Sequence, residues 1–120
     1  MSELRSIRFG ELSSGGGGAS LEVEVYSYID TINKVIGPIG NVPQSVSDSM
    51  MFWGPILQDY NIDYTIRPVA GGSTPGYYIC ISTTSSSPGG GTFSGGNNPS
   101  IGMEAFINSE DKITIQYQPA

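Results

Sequence analysis

The chain has 120 residues, of which 13% are charged, with 17 glycines, no histidine and a formal net charge of −6. That length supports one hydrophobic core and argues against two. Five basic residues against eleven acidic ones disfavour a phosphate-tracking surface or an anionic membrane as partner. Missing histidine removes the usual acid/base group near neutral pH and the commonest zinc ligand.

The first twenty residues read as an arm ending in the flexible hinge Gly15, Gly16, Gly17 and Gly18. Arg5 and Arg8 are the only close basic pair and are candidate contacts of that arm. Charges at Glu3, Arg5 and Arg8 interrupt the apolar stretch that a signal peptide needs, so synthesis and retention in the producer's cytoplasm are expected. No apolar run approaches the roughly 18 to 20 residues of a membrane span.

The first predicted strand covers residues 21–29, with Leu21, Val23 and Val25 alternating against Glu22 and Glu24. On this reading the valines face the core and the two glutamates form a solvated face, ionised and catalytically idle. A turn near residues 30–33 leads to a short strand over 34–36, ended by Gly37 and Pro38. Residues 37–49 are a connector rich in Pro, Ser and Asn. Strand 50–53 and its return 56–58 flank Gly54-Pro55, and a further turn over 59–63 precedes a strand at 64–69. The β-formers Tyr77-Tyr78-Ile79-Cys80-Ile81 predict a buried strand. Residues 82–100 hold little but Ser, Thr, Gly, Asn and Pro around Phe93, the composition of a long functional or disordered loop. A short segment at 103–107 and a closing strand at 112–118, with Ile113, Ile115 and Tyr117 on one face, complete an all-β domain over 21–120. About seven strands at this spacing suggest an antiparallel β-sandwich or a flattened barrel.

The stretch from Asp30 to Tyr117 keeps the order Asn33-Lys34-Val35-Ile36, a connector with Val42-Pro43, the hairpin around Gly54, then Ile62-Asp63-Tyr64-Thr65-Ile66, and finally Glu110-Asp111-Lys112-Ile113-Thr114-Ile115-Gln116-Tyr117. In that order it resembles a domain recurrent in bacteriophage tail-fibre and other virion proteins. Trp53 stands where the family has a turn Asn, and Glu110 where it has a turn Gly. The resemblance implies a β scaffold in which Gly54 turns a hairpin, Asp63 bonds the turn backbone and Tyr64 buries its ring. It further implies a non-enzymatic virion structural protein, either decorating the capsid or belonging to a fibre, tail or adaptor. The expected partners are copies of itself, as a trimer or larger, and other virion proteins, with neither nucleic acid nor membrane.

The chain carries few groups suited to catalysis or metal binding. Asp59-Tyr60-Asn61-Ile62-Asp63 opens like a calcium loop, but Tyr64 occupies the turn-glycine position and Ala70 that of the bidentate Glu. The glycine runs lack the G-K-[ST] of a phosphate loop. Cys80, the sole cysteine, sits in an apolar strand and reads as an inert small hydrophobe. No cofactor is expected. Trp53, Tyr60 and Phe93, with Tyr77 and Tyr78, are the candidates for a stacking platform toward a host glycan, the alternative to assembly, with Trp53 and Phe93 placed to face outward.

Overall fold

The computed structural model describes residues 21–27, 29–103, 108 and 111–120, so the arm, the hinge, Arg5 and Arg8 lie outside the described residues, as does most of the segment expected at 103–107. Among the described residues eight strands run in chain order: β1 Glu22–Tyr26, β2 Val35–Ile36, β3 Met50–Trp53, β4 Ile56–Gln58, β5 Thr65–Ala70, β6 Gly76–Cys80, β7 Thr92–Phe93 and β8 Ile113–Tyr117. A 3-10 turn, Val46–Asp48, leads into β3. The strands form two four-stranded sheets, ordered β1-β8-β3-β4 and β2-β6-β5-β7, with antiparallel pairing throughout. The expected sandwich is therefore present, but not as a simple meander. The chain crosses between sheets, and β8, the last strand, inserts between β1 and β3.

Local chemistry accounts for the turns. Trp53 pairs with Ile56 across a two-residue loop, and Gly54 takes φ 58°, the positive angle such a loop requires at its first position. Asp30 Oδ1 accepts from the backbone N–H groups of Ile32 and Asn33 at 3.0 Å, closing the turn before β2. Lys34 belongs to that turn, at φ 61°, and the strand begins one residue later. Asp63 Oδ2 accepts from the N–H of Asp59 at 2.9 Å, so the would-be calcium ligand is committed to its own turn.

Between the sheets, Ile113, Ile115, Tyr117 and Met51 from the first meet Ile36, Ile66 and Ile79 from the second. Tyr64 is fully buried beside them, its hydroxyl 2.9 Å from Ser49 Oγ and donating to the Ser49 carbonyl at 3.1 Å. A buried phenol hydroxyl without such partners would cost about 1–3 kcal/mol, enough to offset much of what burying its ring contributes.

The second sheet has a covered outer face, which the composition of residues 82–100 did not suggest. Val35, Val69, Tyr78 and Cys80 form a separate apolar cluster there, with Phe93 packed against it. Residues 82–100 lie over that cluster and are tied down by specific bonds. Thr65 Oγ1 donates to the Asn97 carbonyl at 2.6 Å, and Arg67 donates to Gly95 O at 3.0 Å and Asn98 Oδ1 at 2.9 Å. Asn98 in turn donates to the carbonyls of Thr83 and Ser85. Glycine is essential to this close approach: a Cβ at Gly91 would stand 2.5 Å from Val69 Cγ1.

Candidate interaction face

The register of β1 reverses the face expected from its alternation. Glu22, Glu24 and Tyr26 pair with Tyr117, Ile115 and Ile113, so they share the inward side of the first sheet. Val23 and Val25 pair with Gln116 and Thr114 and lie on its outer side. The sequence signal was Tyr26, which has the parity of the glutamates and brings the aromatic ring to their side.

Glu24 can lie inward because donors converge on it. Tyr117 donates to Oε2 at 2.6 Å, Tyr26 donates to Oε1, and the Gly40 N–H reaches both oxygens at 3.0 and 3.1 Å. Asn41 N–H donates to the Tyr117 hydroxyl at 3.0 Å, extending the network. Burial, together with the adjacent Glu24 carboxylate, holds both phenols well above their ordinary pKa. The knot fastens the edge strand β1, the closing strand β8 and the connector at residues 40–41. It is structural, not an acid/base pair: neither phenol releases its proton near neutral pH.

Two rows of side chains cross the outer side of this sheet. One runs Val23, Gln116, Met50, and the other Val25, Thr114, Phe52, Leu57. Neither row contains a charge. Met50 is 39% and Leu57 52% exposed, while Val23, Val25 and Phe52 are half-buried. Among the described residues nothing covers these rows, in contrast to the loop-covered second sheet. Exposed Lys112 stands beyond Thr114 at one end of the sheet, exposed Asp48 lies before Met50 at the other end, and exposed Asp59, following Gln58, stands alongside Met50 on the β4 side. An uncharged, largely apolar pair of rows on one face is a candidate interaction site.

The aromatic candidates do not gather into a platform. Trp53 is at the hairpin end but on the inward side, packed against the core with Nε1 donating to Asp111 Oδ2 at 2.8 Å. Phe93 belongs to β7, and the Arg67 guanidinium covers its ring at 3.9 Å from the centroid. Tyr60 is half-buried, edge-on to Tyr64 at 5.1 Å, its hydroxyl accepting from the Ile66 N–H at 3.3 Å. Tyr78 is buried in the covered cluster and Tyr77 packs against the main core.

Cys80 is fully buried, and desolvation pushes its thiol up to about 11, which leaves it protonated and unreactive. A cleft of about 150 Å³ lies beside β2, lined by residues including Asp30, Pro38, Thr74 and Tyr78. It is smaller than the roughly 300 Å³ at which small-molecule sites begin. Both Asp30 oxygens already serve the turn, Oδ2 accepting from Asn33 Nδ2 at 2.8 Å. Among the described residues, the outer side of the β1-β8-β3-β4 sheet is thus the foremost candidate surface. Comparison of the chain with protein-family models, with curated proteins and with solved structures returned no match.

Proposed function

We propose that this chain is a structural protein of a bacteriophage particle, of the capsid-decoration or the fibre, tail or adaptor kind, which works by assembly and carries out no catalysis. One observation carries the assembly reading: β1 directs two valines outward and two glutamates inward, so that four strands share an outer side whose two rows carry no charge and which no described residue covers. Leaving Val23 and Val25 partly in water while turning Glu24 inward is a costly arrangement for a chain meant to stay alone. Covering that side with other subunits recovers the apolar burial. The assignment to a phage particle rests on the motif order shared with virion domains.

The test uses Thr114→Arg and Leu57→Asp, two substitutions on the outer side that leave the core untouched. In cells producing the particle, the wild-type chain is expected to sediment with it, whereas the variants fold with unchanged circular dichroism and stay behind in the soluble fraction. A wild-type chain found only as free protein, or variants that sediment as it does, would overturn the proposal.

A further inference from the structure

Resting on that reading, we infer that the partner on the outer side of the β1-β8-β3-β4 sheet is a second copy of this chain, related by a two-fold axis perpendicular to the strands. The charge distribution points to it. With eleven acidic and five basic residues, copies repel one another over most approaches. The two rows Val23, Gln116, Met50 and Val25, Thr114, Phe52, Leu57 are where that repulsion is absent, because no carboxylate opposes another across them. A basic partner would be drawn to carboxylates, and β1 turns its own away from this side.

The ends of the rows then set the orientation. Lys112 stands beyond the Val25 row and Asp48 beyond the Met50 end, with Asp59 alongside Met50. Stacking two copies about an axis in the interface plane and across the strands reverses one sheet end for end. The Lys112 end of each copy then faces the acidic end of the other. An axis along the strands would instead bring lysine to lysine and aspartate to aspartate. An isologous contact of this kind is self-complementary, as closed symmetry requires.

The size of the surface sets the strength. Four strands about 4.8 Å apart and three to five residues long, at about 3.3 Å each, offer roughly 270 Å² in projection. That is under half of the roughly 800 Å² per partner of a stable pair. The isolated dimer is therefore weak and concentration-dependent, and becomes permanent where copies are already held side by side.

The experiment is sedimentation velocity on the full chain over a concentration series. Wild type is expected to shift from monomer toward dimer, Thr114→Arg to weaken association by at least about tenfold, and Lys112→Glu by a few fold. Combining Lys112→Glu with Asp48→Lys restores the lost association, which no merely destabilising change would do. A wild-type chain that stays monomeric up to its solubility limit overturns the inference. So does association that Thr114→Arg leaves intact. If the chain is monomeric yet Thr114→Arg still keeps it out of particles, the assembly surface stands and its partner is a different virion protein. If Thr114→Arg changes neither assay, both proposals fall.

Discussion

Replacing Glu24 separates the two ways of reading β1. Were Glu24 on a solvated face, Glu24→Ala would change stability by no more than about 0.5 kcal/mol, as surface substitutions do. In the structure it strands three donors, the hydroxyls of Tyr26 and Tyr117 and the N–H of Gly40. Hydrogen bonds to a charged group contribute about 1.5–3 kcal/mol each, and partial access of water to this half-buried site roughly halves the sum. The expected loss is about 3 kcal/mol, a large share of the roughly 5–15 kcal/mol that a domain possesses. Glu24→Gln keeps one acceptor oxygen and is expected to lose about half as much. Urea unfolding followed by circular dichroism measures both. Val25→Thr is the matched control: on the outer side it is expected to cost under about 1 kcal/mol, whereas a core-facing valine would lose about 2 kcal/mol. A Glu24→Ala chain as stable as wild type, with Val25→Thr severely destabilised, would show that the strand is paired one residue out of the described register.

The remaining expectations concern titration, the loop and the backbone. Burial pushes the Tyr64 phenol up to about 12 against about 10 unfolded, so its contribution is complete below pH 10 and is lost as pH rises from 10 toward 12; ultraviolet titration should show tyrosine ionisation accompanying unfolding in that window. The Asp30 carboxyl is driven up by burial but more strongly down by its bonds from Asn33 and Ile32, a net depression. Its contribution is therefore present above the ordinary carboxylate range and is lost as pH falls through the depressed value, a slope that Asp30→Asn should flatten in acid denaturation. Arg67→Ala removes the bonds to Gly95 and Asn98 and the cover of Phe93, and is expected to expose residues 82–100 to limited proteolysis that wild type resists. Gly102→Ala is expected to lose more than about 2 kcal/mol, because φ is +86° there and a Cβ would stand 2.7 Å from the Ile81 carbonyl.

Alternation and turn residues located most strands closely. Ile113, Ile115 and Tyr117 are inward as their period demands, and the hairpin around Gly54 has the expected limits. The failures share one physical origin, in that each depended on a partner distant in the chain. Glu24 is satisfied from Tyr117, ninety-three positions away, and the one local sign, the parity that Tyr26 shares with the glutamates, does not announce that donor. Composition predicts a long functional or disordered loop over 82–100, yet its backbone carbonyls are acceptors for Thr65 and Arg67 on β5. A hairpin end predicts an outward Trp53, and the Asp111 carboxylate that holds its indole inward belongs to another part of the chain. The candidate interaction surface was hidden for the same reason, since it exists only once β1, β8, β3 and β4 lie side by side.

Residues 82–100 have the composition of a tether and the position of cladding, and this decides where the molecule tolerates additions. A peptide inserted near Gly91 or Asn98 would lift the cladding from Val69 and Cys80 and wet a second core. The tip of the β3–β4 hairpin is the opposite case: a Cβ at Gly54 meets nothing within 4 Å, and the neighbouring residues carry no part of that cover. A tag or displayed epitope belongs there, on a short rigid turn, and not in the glycine-rich stretch that its letters recommend.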